Sequence, residues 1–251
     1  MTETTTRPQR TVAVRAVRNA TKPQPRQLVR FAFYRVDPAW RRLDPATRAA
    51  HRQEVVERLG QHEGRILLRT YSLVGTRGDA DLMIWAVTDE PDRLHAFFAD
   101  VNRCALAGYL NPTHSYTAMT KRSIYVDRQR PAEAGSRDRL VLAPGSRRFL
   151  FVYPFVKTRS WYQLPASERQ RMMDEHIAVG RAFPTVKINT TYSFGLDDQE
   201  FVVAFESDSA ADFLDCVQAL RDTDASAYTL RDVPSFTCMA MSPEAALAAL
   251  G

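Results

Sequence analysis

Strand-like and helix-like hydrophobic patterns follow one another twice along this chain, in the same order. Residues 29–34 and 149–153 are short runs rich in aromatic and β-branched residues and predict strands. Each leads to a Trp in a polar stretch (Trp40, Trp161) and then to a Leu with proline close behind (Leu43-Asp44-Pro45, Leu164-Pro165), which suits a helix start. Amphipathic runs extend from there to Gly60 and Gly180, read as C-terminal stops. Strands carrying Thr70-Tyr71-Ser72 and Thr191-Tyr192-Ser193 come next, followed by polar turns over residues 75–81 and 195–199. Residues 82–87 and 201–205 predict largely buried strands, residues 88–92 and 207–211 open a second helix, and final strands are expected around residues 115–119 and 235–239.

The order β-α-β-β-α-β in each half is the ferredoxin-like plan, with helices on one face of an antiparallel sheet. Two copies predict an α+β fold of tandem ferredoxin-like repeats whose sheets pair into a pseudo-twofold barrel. The expected organisation is a basic, disordered tail at 1–26, a first repeat at 27–126, a linker rich in Arg, Gly, Pro, Ala and Asp at 127–148, and a second repeat at 149–251.

Composition narrows the function. With 251 residues and 45% apolar composition the chain can bury a substantial core, and no run approaches the length of a membrane span. The formal charge of +5 resides in the tail: residues 1–26 hold six Lys and Arg against one acid, leaving 28 basic and 28 acidic residues in the body. A basic tail is a weak argument for nucleic-acid binding, because phosphate recognition needs a coherent positive face on the folded domain. The tail has no apolar h-region and does not read as a secretory signal, so a cytoplasmic location is expected. Cys104, Cys216 and Cys238 are odd in number, lack CxxC spacing and sit among apolar residues, which predicts buried thiols.

The halves differ where chemistry begins. Four residues before the matched glycines, the first half has Val56 and the second His176. Met172, His176, Val179 and Phe183 recur at helical spacing, so the imidazole shares a face with apolar side chains. A core histidine bonded to a carbonyl and an axial ligand to haem iron both fit that placement. Tyr153-Pro154-Phe155-Val156-Lys157 is a second difference, because the first half has no lysine at the corresponding place. That phenol and ammonium suit either an anionic substrate group or a strand end with a solvated lysine.

Together with Trp161-Tyr162-Gln163-Leu164-Pro165, Met172-Met173-Asp174-Glu175-His176, Gly180-Arg181 and Ser193-Phe194-Gly195-Leu196-Asp197-Asp198, these residues resemble the chlorite dismutase-like superfamily, most closely its coproheme decarboxylase branch. The resemblance spans roughly residues 27–245 and is most specific over 153–198. It implies a haem-dependent enzyme that converts iron coproporphyrin III (coproheme) to haem b with hydrogen peroxide. In that reading His176 is the iron ligand, Tyr153 the catalytic tyrosine that becomes a radical, Lys157 the anchor of the reacting carboxylate and Arg181 the anchor of a second. A pentameric homo-oligomer and a hand-over of coproheme from a ferrochelatase are implied as well. Chlorite dismutases carry an arginine over the iron where this chain has Ile188 or Asn189, depending on a one-residue gap. Neither supplies the charge for chlorite turnover, which leaves decarboxylation favoured, with a haem-binding or haem-sensing protein and a peroxidase as the other readings. Residues 127–148 contain no histidine, and His114 is read as structural.

Overall fold

The computed structural model describes residues 26–125 and 140–251. The basic segment, Arg26 apart, and residues 127–139 of the expected linker lie outside them. The first half runs β1 (Leu28–Val36), α1 (Pro38–Arg41), α2 (Pro45–Gln61), β2 (Leu67–Ser72), β3 (Leu82–Thr88), α3 (Pro91–Asn102), a 3-10 turn (Ala105–Tyr109) and β4 (Leu110–Met119). The second runs β5 (Phe149–Lys157), α4 (Arg159–Gln163), α5 (Ala166–Arg181), β6 (Lys187–Tyr192), β7 (Phe201–Ser207), α6 (Ala210–Arg221), a 3-10 turn (Asp224–Tyr228), β8 (Thr229–Arg231) and β9 (Phe236–Met241), closed by α7 (Pro243–Ala248).

Helix starts follow local chemistry. The Asp44 carboxylate accepts the Thr47 amide at 2.9 Å ahead of Pro45, and the Ser209 hydroxyl accepts the Asp212 amide at 3.1 Å. Helix ends correct the expectation. Gly60 and Gly180 lie inside α2 and α5, neither has a positive φ, and the caps are His62 and Ala182. Left-handed glycines occur instead in the two predicted polar turns, at Gly75 (φ 82°) and Gly195 (φ 73°). The last strands also differ. β4 begins at Leu110 and absorbs a register shift opposite Phe33 and Tyr34, whereas the second half divides its last segment into β8 and β9.

The strands follow the order β7-β6-β4-β1-β3-β2-β9-β5, and β5 pairs back with β7, so the sheet closes into a barrel with β8 appended to β5. The two arcs, β4-β1-β3-β2 and β9-β5-β7-β6, meet at twofold-equivalent seams, β2 with β9 and β6 with β4. This is the predicted pseudo-twofold α+β barrel. Alternating residues fill its interior, among them Phe31, Phe33, Trp85, Leu150, Val152, Val202 and Phe236. The opposite face of β5 and β7 packs outward against α5 and α6 through Phe151, Phe205, Cys216 and Leu220. Residues 140–148 are part of the fold: Leu140 and Leu142 are buried, and Glu206 accepts the Gly145 amide at 2.5 Å. Among the described residues no helix is long and apolar enough to cross a membrane.

Candidate functional site

His176 sits on α5 where two outer clusters meet. One turn earlier, Met172 packs with Trp161 and Ala225, while Val179 and Phe183 belong to the cluster of Phe151, Phe205 and Leu220. The predicted apolar face is therefore real but divided, with the imidazole at the division. Its Nδ1 lies 3.0 Å from the Thr223 hydroxyl, and among the described residues Nε2 has no hydrogen-bond partner. Burial, followed by the charge of Lys157, pushes the His176 pKa down to about 4, so the ring is neutral at physiological pH.

Strand alternation places Phe149, Phe151 and Tyr153 on the β5 face that meets α5 and α6. The Tyr153 ring stacks on Phe205 with centroids 5.8 Å apart. Burial raises its pKa, the Asp232 carboxylate adds to the rise, and Arg221 opposes it. Arg221 and Asp232 are themselves paired at 2.6 Å. Among the described residues the phenol, like His176 Nε2, has no hydrogen-bond partner.

Lys157 departs from the role of a solvated carboxylate anchor. The residue is 8% exposed, its Nζ donates to the Ala225 carbonyl at 2.5 Å, and it lies 4.7 Å over the Trp161 ring. Burial pushes its pKa down to about 8 against the opposing pull of Glu200, whose carboxylate accepts the Lys157 amide at 2.9 Å and the Tyr162 hydroxyl at 2.5 Å. Arg181 is exposed in the last turn of α5.

Sheet register decides between Ile188 and Asn189. Ile188 lies opposite Phe205 and so shares the outer face with Tyr153; it is 44% exposed. Its Cδ1 lies 3.7 Å from the point a Cβ on Gly180 would occupy, so β6 approaches α5 closely there. Asn189 lies opposite Ala204, faces the other way and donates to Glu206 at 2.8 Å, with the Lys187 ammonium 3.0 Å from the same oxygen. Asn189 is thus no part of this cleft, a correction that follows from the two-residue period of the strand. The outer face of β5 and β7 brings together Tyr153 and Ile188 with the His176 helix; Lys157 lies behind the imidazole, and Arg181 is at the helix end.

Thr223 is the residue that sequence reasoning missed. It opens the 3-10 turn after α6, as Cys104 opens the turn after α3, and Cys104 packs in the same cluster as Val56. Where the first half has Val56 and Cys104 the second has His176 and Thr223, a paired difference that aligning the two repeats could have exposed.

The donor set discriminates among metals. Among the described residues no group of three or more His, Cys, Asp or Glu side chains could hold a metal ion. A lone neutral imidazole on an apolar helix face fits a metal whose other ligands come from a macrocycle. His114 pairs with Asp79 at 3.1 Å, consistent with a structural role. It borders an open cavity of about 380 Å³ between α3 and strands β1 and β4, which neither His176 nor Tyr153 lines.

Residues 46–241 match the chlorite dismutase family. The chain is 32% identical over 191 residues to the coproheme decarboxylase of Mycolicibacterium smegmatis, an alignment that covers 76% of this chain and 80% of that protein. It is 23% identical over 209 residues to the chlorite dismutase of Ideonella dechloratans, covering 82% and 73% of the two. Among solved structures, chlorite dismutase from Candidatus Nitrospira defluvii in complex with imidazole is similar at a TM-score of 0.80 and 25% identity, covering 89% of this chain and 94% of that one.

Proposed function

The chain belongs to the chlorite dismutase family, and from that membership we propose that it is a haem-type oxidoreductase that decarboxylates iron coproporphyrin III to haem b, with hydrogen peroxide as oxidant. The observation that carries the reading is a neutral imidazole, anchored at one nitrogen and free at the other, on the helix that packs against the sheet face bearing the partly buried, unpartnered phenol of Tyr153. When bound, the iron tetrapyrrole supplies the redox chemistry.

The side chains do the rest. His176 would hold the iron through Nε2, and the apolar side chains of Phe205, Val179 and Leu220 would exclude water around it. Burial keeps the Tyr153 phenol protonated, so that with peroxide as the oxidant it would give up its electron and proton together and then regain a hydrogen atom from the C–H bond of a propionate β-carbon, the carboxyl group leaving as carbon dioxide. Arg181, exposed at the helix end, would hold a carboxylate at the rim. Lys157 is turned from the rim to the Ala225 carbonyl, so its part is to hold that turn and supply positive charge beside the imidazole. An uncharged Ile188 on the site face favours decarboxylation over chlorite turnover.

The test is to load the protein with iron coproporphyrin III, add peroxide and follow product mass. Loss of two carboxyl groups, abolished in Tyr153→Phe, is expected, as is loss of the iron spectrum in His176→Ala. Binding without mass change would make the protein a haem carrier or sensor, and oxygen release from chlorite would make it a dismutase.

A further inference from the structure

The proton inventory around Thr223 decides which nitrogen His176 offers. The Thr223 Oγ1 lies 2.7 Å from the Leu220 carbonyl oxygen and 3.0 Å from His176 Nδ1. Two oxygens at 2.7 Å require a proton between them, and a carbonyl has none to give, so the single hydroxyl proton of Thr223 points at Leu220. That carbonyl is one of those left over at the C-terminus of α6, where the Thr223 amide reaches it only at 3.4 Å. With its proton committed, the Thr223 oxygen can only accept from His176. Thr223 is 5% exposed, so water does not readily take over either contact.

We propose that Thr223 is a positioning residue that fixes His176 in the Nδ1–H tautomer and leaves the Nε2 lone pair free. Free imidazole side chains favour the opposite tautomer, with the proton on Nε2, which would have to shift before that nitrogen could bind a metal. The relay from His176 through Thr223 to the Leu220 carbonyl sets the lone pair in advance and holds the ring plane. The first half illustrates the alternative. There the equivalent helix-end residue, Cys104, places its thiol 3.6 Å from the Asp100 carbonyl, and with Val56 on the neighbouring helix no relay exists. Both members of the relay are therefore confined to the second half. Lys157 braces the same turn by donating to Ala225, two residues beyond Thr223.

This inference rests on His176 being the ligand in the proposed function, yet it is tested without any tetrapyrrole. In the apoprotein, nitrogen-proton correlation spectra of the His176 ring are expected to show the proton on Nδ1. Thr223→Val is expected to release the ring to a mixture dominated by Nε2–H, and Thr223→Ser to restore the Nδ1–H form, with circular dichroism and a cooperative melt confirming the fold of each. Thr223→Cys, which copies the first half, gives a weaker acceptor and an intermediate spectrum if the valine variant fails to fold. Haem affinity is expected to fall about tenfold to hundredfold in Thr223→Val and to recover in Thr223→Ser. A wild-type proton on Nε2, or an Nδ1–H form unchanged in the valine or cysteine variant, would overturn the lock. Failure to bind any tetrapyrrole with the lock intact would instead overturn the proposed function.

Discussion

An unfolded histidine takes up its proton near pH 6.5, whereas burial and the Lys157 ammonium hold His176 neutral until about pH 4. Between those values the unfolded chain binds more protons than the folded one, so stability rises with pH across the window and is lost on acidification. The apoprotein is expected to lose on the order of 2 kcal/mol from this group between pH 6.5 and 4. Urea midpoints measured across the window check it, and an equal slope in His176→Gln would contradict it. Lys157 has the same sign at higher pH, because its folded pKa of about 8 lies below the ordinary 10.5. Lys157→Met is expected to raise the His176 pKa, read by titrating the ring protons. The identity of His176 as the odd residue was legible in the sequence. The position of the Lys157 ammonium was not, since a strand-end lysine reads the same whether it points to solvent or to a carbonyl.

At the scale of the element, hydrophobic periodicity located α5 and its inward face, but it could not reveal that the face spans two clusters with His176 between them. It also read Gly180 as a helix stop, although the residue is helical. A Cβ there would meet only Ile188 and Leu220, at 3.7 and 3.9 Å, which is ordinary contact. Gly180→Ala is thus expected to stabilise the protein by about 0.5–1 kcal/mol through helix propensity. Gly195→Ala, at φ 73°, is expected to destabilise it by about 1–2 kcal/mol. Denaturant midpoints of the two variants should move in opposite directions, and movement in the same direction would contradict the assigned conformations.

Across the whole molecule the two seams of the barrel are unequal. β2 and β9 pair over Thr70, Tyr71 and Ser72, whereas β4 and β6 pair only at Met119 and Tyr192. Side chains complete the weaker seam: Asp197 accepts the Thr117 amide at 2.7 Å, and Ser193 donates to the Thr117 carbonyl at 2.7 Å. Asp197→Ala is expected to destabilise by about 1–3 kcal/mol and to speed hydrogen exchange at Thr117, whereas unchanged exchange would deny that this contact holds the seam. By itself the sequence determined the duplicated element order, the turns at Gly75 and Gly195, the buried thiols and the Val56-to-His176 exchange. These are local or periodic properties, set by backbone preference and by the alternation of apolar and polar residues. Only the tertiary structure decided that Ile188 faces the cleft while Asn189 turns away to Glu206, that Lys157 lies behind the imidazole, and that Thr223 meets His176 across 47 residues of chain. Such choices depend on strand register and helix packing, which bring distant side chains within hydrogen-bond reach and leave no mark in the spacing of either residue alone.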